Sequence, residues 1–447
     1  MRIAFFTPLS PLHTAVADHS EGLLPHLAEL ADVDLFIDDD YAPSNPEITS
    51  RFNVRSFRDF RAGQHDAILY AMGDHAGFHG YVYNMLQQFP GVVILHDTTL
   101  HRMMINLTFR PRKPEVYLQE MRYAYGIADL CIPQQITAGY GEEHISRYPF
   151  FERVVDSSLG VIVHNRDALR RVLRYCPRAR VNQINQHFFL PPGFPDHTDV
   201  AALRARWGLE NRFVVGSFGL FVPDKRLDAC LRAFARLRER HPEAVYLLVG
   251  SHPHEYDLPG LIRELGLSDH VILTGWMDPV PFTQHMYLVD VGIHLRYPHV
   301  GGTPFTPIRL MGLGIPTVIS DIEPLAELPE GACAKVAPDV LEEETLLALL
   351  TYLVEHRQVR HQLGENGARW IREHHGAKQI AAQYVAAIEQ AVAEPPAGKP
   401  PDYAAEHHTA HLLRQVATLA CGLGIRDQED DQLRPLAEAL ARRVKGQ

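Results

Sequence analysis

The run from Arg296 to Asp321, R-Y-P-H-V-G-G-T-P-F-T-P-I-R-L-M-G-L-G-I-P-T-V-I-S-D, reads as a strand end, a glycine-rich loop, a short helix and a second strand. Asp290-Val291-Gly292-Ile293-His294-Leu295 is the incoming apolar run, and Pro316-Thr317-Val318-Ile319-Ser320 the outgoing one. A helix is expected to start near Pro307, because a proline in the first turn forfeits no hydrogen bond. Gly312 and Gly314 are expected to end it. Free N–H groups at a helix start attract anions, and open parallel sheets bind ligands beyond their C-terminal strand ends. Gly301, Gly302 and Thr303 are therefore a candidate phosphate or sugar cradle. The alternative is a tight strand-to-helix turn with no ligand.

Outward from that run, strand and helix patterns alternate. Short apolar runs at Phe213–Gly219, Val245–Gly250 and Val271–Gly275 are separated by helical patterns such as Leu227–Arg240. The first half repeats the scheme with runs at Ile3–Thr7, Val33–Ile37, Ala67–Ala71, Val92–Leu95 and Val161–Val163. Alternation of this kind implies parallel sheets with crossover helices, and near-continuous Val/Ile/Leu runs suit strands covered on both faces. The expected architecture is α/β, with two Rossmann-like domains facing across a cleft and a helical C-terminal tail. The expected boundaries are 1–195, 196–375, a helix at 376–395 crossing back to the first domain, and a linker with helical tail at 396–447. The tail's apolar residues at 3–4 spacing suit packing on the body or a homodimer contact.

The chain has 447 residues, 46% of them hydrophobic, and a formal charge of −11. That length suits two or three domains of roughly 150 residues. A nucleic-acid partner is not expected, since it calls for a basic stripe. The five cysteines are scattered with no C-x-x-C pair, which suggests neither zinc site nor disulfide framework. The N-terminus enters a strand directly at Ile3, without a signal-peptide pattern, and no apolar run is long enough for a transmembrane helix. Together these features suit a cytoplasmic protein.

Chemistry-bearing residues collect in the second half. Gly219-Leu220-Phe221-Val222-Pro223-Asp224-Lys225 follows a strand and enters a helix. Lys225 there can reach a pyrophosphate as a point charge, and Arg296 and Arg309 add positive charge on the same rim. His96-Asp97 with His101 has loose metal-ligand spacing and no third ligand, so no metal is expected. Asp38-Asp39-Asp40 reads as a solvated loop.

These segments resemble the donor domain of the family 4 glycosyltransferases, retaining enzymes of the GT-B fold. The matching pieces are Gly219 to Lys225, L-L-V-G at Leu247 to Gly250, V-I-L-T-G-W at Val271 to Trp276, Y-L-V-D-V-G-I at Tyr287 to Ile293, and M-G-L-G-I-P-T-V-I-S-D at Met311 to Asp321. Pro8-Leu9-Ser10-Pro11, Ala17-Asp18-His19-Ser20 and Val92 to Asp97 resemble a bacterial branch of that family. The resemblance implies donor diphosphate on Lys225 and Gly219, and the nucleotide base on the turn at Trp276 and Met277. It implies the donor sugar near Gly301, Gly302 and Thr303, and the donor's ribose hydroxyls at the position of Arg309. It places His96 in the cleft, catalytic with Lys225, and an acceptor side near His13, Asp18 and Asp97. The co-substrate would be a nucleotide-diphosphate sugar, with no cofactor or metal. The acceptor, whether saccharide, lipid-linked or protein, is open.

The chain departs from the family signature. Two glutamates eight positions apart are usual, and here those positions hold Gly301 and Arg309. Three readings follow: donor binding by backbone amides and Arg309, a donor with Arg309 on a phosphate or carboxylate, or a degenerate GT-B protein kept for binding or assembly. The loop near Leu12 to Asp18 also lacks paired glycines, so it must take a conformation that tolerates a Cβ.

Overall fold

A computed structural model describes residues 1–298 and 301–394. Two parallel sheets carry the fold. The first comprises β1 (Arg2–Phe6), β2 (Asp32–Ile37), β3 (Asn53–Ser56), β4 (Ala67–Met72), β5 (Val92–Leu95), β6 (Gly160–Val163) and β7 (Val181–Gln183). Its order is β3-β2-β1-β4-β5-β6-β7. The second comprises β8 (Val214–Phe218), β9 (Val245–Val249), β10 (Val271–Leu273), β11 (Val291–His294), β12 (Thr317–Ser320) and β13 (Ala334–Val336), in the order β10-β9-β8-β11-β12-β13. The chain order reverses between β1 and β4 in one sheet and between β8 and β11 in the other. Such switch points open crevices at the C-terminal strand ends. The architecture is GT-B.

Burial follows the sequence pattern. Ile3, Phe5, Leu69, Ile94 and Ile162 face one side of the first sheet, while Phe6, Tyr70, Met72 and Val93 face the other. The helix Ala15–Leu27 covers the first of these faces. Beside it lies the helix Ala377–Ala393, which buries Ile380, Tyr384 and Ile388 in the same cluster. Burying such side chains contributes about 1.5–3 kcal/mol each, so this late segment is part of the first lobe's core.

Several sequence expectations need correction. The helix after the glycine loop starts at Phe305, with Pro304 as its N-cap, rather than near Pro307. Pro307 still falls in the first turn, as its third residue, where a missing N–H forfeits no helical bond. The strand β3 went unread because it is a sheet edge, with Val54 its one apolar residue. Between β5 and β6 lie helices including Pro114–Tyr125, Cys131–Thr137 and Glu152–Asp156, where no element was read. The expected linker and helical tail, 396–447, and any dimer contact made by them, lie outside the described residues. Among the described residues no helix is long and apolar enough to cross a membrane.

Candidate functional site

Two strand ends build a cationic corner. After β8 the chain turns at Gly219, whose φ of +106° suits a residue without a Cβ. A 3-10 turn then presents Lys225, whose ammonium Nζ lies 3.7 Å from where a Cβ on Gly219 would stand. After β11, Arg296 pairs with Asp224 at 3.0 Å, and Tyr297 N–H donates to the Asp224 carbonyl at 2.8 Å. Burial and the nearby Arg296 push the Lys225 ammonium down to about 7. Burial, Lys225 and Arg296 together hold His294 well below its usual range. Cations crowded together without enough carboxylates make a receptive place for an anion.

The glycine loop is where the lobes touch. Gly301, at φ +87°, stands so close to Thr98 that a Cβ would come 1.8 Å from its Oγ1. At Gly302 a Cβ would meet the His96 carbonyl at 3.0 Å and Asp97 Oδ1 at 3.1 Å. Asn165, at the end of β6, donates from Nδ2 to the Gly301 carbonyl at 3.1 Å and to Thr303 Oγ1 at 2.9 Å. The expected cradle is thus, in this conformation, a junction with the ends of β5 and β6. Asp97 Oδ2 accepts the Asp74 N–H at 3.0 Å, and Asp74 Oδ1 accepts the Met103 N–H at 2.8 Å. Burial holds both carboxyls above their usual range, although Arg296 draws Asp97 down. Asp74 and Asp97, after β4 and β5, thus stand as neighbouring carboxyls beside the junction.

Beneath the junction four histidines meet. His19 lies 4.7 Å from His96, 5.1 Å from His164 and 4.6 Å from His187 between ring centres, and His96 lies 5.1 Å from His164. His164 Nδ1 meets the Ile184 carbonyl at 3.0 Å. His19 Nδ1, His96 Nε2, His164 Nε2 and both nitrogens of His187 have no hydrogen-bond partner among the described residues. Burial holds all four rings neutral, with His164 at about 4, His187 at about 3, and His19 and His96 well below the usual range. The rings do not converge as ligands: among the described residues no three such groups are placed to hold a metal. His101 lies apart, bonded to the Tyr117 hydroxyl at 2.8 Å.

Arg309 leaves the helix Phe305–Gly312 toward the first lobe. Its guanidinium is buried, sits 5.0 Å from the centre of the Phe189 ring, and makes no hydrogen bond or ion pair with a described residue. It faces a cavity of about 250 Å³ that Asp18, Asn45, Phe189 and Asp278 also line. Asp18 likewise has no such partner, and burial raises its carboxyl despite the opposing pull of Arg309. Thr14 caps the helix Ala15–Leu27, its side chain accepting the Val16 N–H, so the loop lacking glycines is an ordinary helix start. The His13 ring stands edge-on to Trp276 at 4.9 Å. Trp276 and Met277 line a neighbouring cavity of about 300 Å³.

The structure therefore draws Gly219, Lys225 and Arg296 into one corner, and Gly301, Gly302, Thr303, His96 and Asp97 into a second. Asp18 and Arg309 share a third place, beside His13, Trp276 and Met277. Thr98, Asn165, Asp74, His164 and His187 were not singled out from sequence, and His19 entered only within the Ala17–Ser20 segment. Asn165 and His164 sit at the end of β6 as Asp97 and His96 sit after β5, and that strand-end position was the available signal.

Residues 199–370 match the family of glycosyl transferases group 1. A GDP-mannose-dependent alpha-(1-6)-phosphatidylinositol monomannoside mannosyltransferase of Mycolicibacterium smegmatis is 33% identical over 108 residues, 23% of this chain and 28% of that protein. Alpha-D-kanosaminyltransferase of Streptomyces kanamyceticus is 24% identical over 250 residues, 51% of this chain and 63% of that protein. The chain thus spans less than two thirds of these curated relatives. Among solved structures, HepE of Anabaena with UDP and glucose superposes with a TM-score of 0.59 at 18% identity, covering 87% of this chain and 100% of that one. Sucrose-phosphate synthase of Thermosynechococcus elongatus gives a TM-score of 0.64 at 18% identity, covering 88% of this chain and 99% of that one.

Proposed function

We infer that this chain, a family 4-like glycosyltransferase of the GT-B fold, moves a sugar from a nucleoside-diphosphate donor to an acceptor with retention and without a metal ion. The observation that carries the reading is the Lys225–Arg296 corner at the C-terminal ends of β8 and β11, beside the cleft. A diphosphate leaving group needs its developing charge neutralised, and fixed cations in a partly desolvated corner do this without reorganising. The anomeric carbon then passes through an oxocarbenium-like state. The leaving phosphate takes the acceptor proton, and His96, held neutral, orients the sugar or acceptor.

Arg309 and Asp18 supply a substitute for the missing glutamate. A ring hydroxyl between them can donate to the Asp18 carboxylate and accept from the Arg309 guanidinium. Asp278 lines the same cavity and directly follows Met277, so the hydroxyls of the nucleotide's ribose fit there. His13 and Asp97 remain on the acceptor side.

The test is a thermal-shift and transfer screen with UDP- and GDP-linked hexoses, run alongside Lys225→Ala. The expected result is stabilisation by one nucleotide, lost in the variant, with NMR of the product's anomeric proton showing retention. A flat screen supports the second reading, a GT-B protein kept for binding, which the closed contact at Gly301 favours.

A further inference from the structure

A second cationic place lies at the N-terminal strand ends of the second sheet, opposite the Lys225 corner. Val289 and Asp290 just before β11, and Gly314 and Pro316 just before β12, form one wall of a groove of about 560 Å³. The helix Arg357–His374 forms the other wall. Arg357, Arg360, Arg369 and Arg372 all line it. The first and last of these are fifteen residues apart, about 22 Å along a helix.

Two carboxylates also line the groove, Asp290 and Glu365. Asp290 accepts from Arg204 at 2.8 Å and from the Val214 N–H at 2.9 Å. Glu365 lies 3.6 Å from His361. Arg360 is held in place, donating to the Leu353 carbonyl at 2.5 Å and lying 5.2 Å from the centre of the Phe213 ring. Burial first, and then the like charges of Arg357 and Arg204, lower it from its ordinary range, while Asp290 opposes them. Arg357, Arg369 and Arg372 make no ion pair or side-chain hydrogen bond with a described residue. A chain of net charge −11 has thus gathered four guanidiniums against two carboxylates along one concave slot, with Arg357, Arg369 and Arg372 outside any ion pair with a described residue. Guanidinium forks match phosphate oxygens.

The geometry points to a binding site for a soluble oligophosphate in this groove, separate from the cleft. The site is concave rather than flat, and its walls are a helix and the starts of two strands. A compact multiply charged ligand fits that shape better than a bilayer surface does. The groove does not depend on the donor reading, because it lies at the strand ends opposite Lys225.

The test uses the full chain carrying Lys225→Ala, so that the cleft does not contribute, with tripolyphosphate as the calorimetric probe at low salt. One site is expected, weakening steeply as salt rises. Adding Arg357→Ala, Arg369→Ala and Arg372→Ala should weaken binding about tenfold or more. The matching triple lysine variant should retain most of it, and unchanged melting temperatures show that the exposed substitutions leave the fold intact. Absence of tripolyphosphate binding, or equal binding by the triple alanine variant, overturns the proposal. So does sedimentation with phosphatidylglycerol vesicles by a protein that ignores tripolyphosphate, which would make the face a membrane contact.

Discussion

Gly301 and Thr98 stand in a contact that admits no side chain on the glycine. A Cβ there would come 1.8 Å from the threonine Oγ1, at a φ of +87°. Restoring the family's glutamate by Gly301→Glu should therefore lower stability rather than improve transfer. Left-handed strain for a non-glycine residue costs on the order of 1–3 kcal/mol, and the overlap adds to it. Thermal melting should show the loss, and Thr98→Gly in the same chain should recover part of it. A fully stable Gly301→Glu single variant would mean the lobes part easily at this point.

The depressed ammonium of Lys225 predicts a pH dependence. Its pKa is about 7 without ligand, and a bound diphosphate favours the charged form. Binding should then take up a proton above pH 7, and nucleoside-diphosphate affinity should fall by up to about tenfold per pH unit there. Calorimetry in buffers of different ionisation enthalpy measures the uptake directly. Lys225→Ala should weaken binding more than about tenfold at pH 7 and flatten the profile.

Asp18 and Arg309 share one cavity without pairing, so each should matter through the ligand. Asp18→Asn and Arg309→Gln are each expected to weaken nucleoside-diphosphate binding about tenfold. The wild type should prefer a nucleoside diphosphate over its 3′-deoxy analogue, and both variants should lose that preference. Equal discrimination by wild type and variants would remove ribose from this cavity.

The buried imidazoles predict acid sensitivity. A histidine whose folded pKa lies below its unfolded value of about 6.5 favours the folded state at higher pH. That contribution is full above about 6.5 and is lost as pH falls toward the folded value, here about 4 for His164 and about 3 for His187. Each such group can remove up to about 1.4 kcal/mol per pH unit in that window. The melting midpoint should drop steeply between pH 6.5 and 4, and His187→Phe, which removes a ring with two unpartnered nitrogens, should lessen the slope.

Much of this arrangement was legible in the residues. The Val/Ile runs placed most strands, because strands covered on both faces leave no other pattern, and Gly219 to Lys225 declared itself by following one. The edge strand Asn53–Ser56 did not, since an edge needs few apolar residues. The histidine cluster was hidden for a different reason. His19, His96, His164 and His187 come from four separate segments, and among 26 histidines only the fold decides which meet. Arg309 was visible as an anomaly, but the carboxylate opposite it lies almost 300 residues earlier in the chain.

The two connections between the lobes run side by side. Phe188 N–H donates to the His375 carbonyl at 2.7 Å, Phe188 pairs with Gly376 as a parallel bridge, and His375 Nδ1 meets the Gln186 carbonyl at 2.5 Å. Two chain crossings bonded to each other hold the lobes at one place, so any turn of one lobe on the other would centre near Phe188 and Gly376. The bonds from Asn165 to the glycine loop are made at the facing strand ends, so a small turn at the tethers becomes a larger separation wherever the lever is longer. The bonds at Asn165 would then give way before those at Phe188, so the lobes could separate at the cleft while remaining ordered about their tethers.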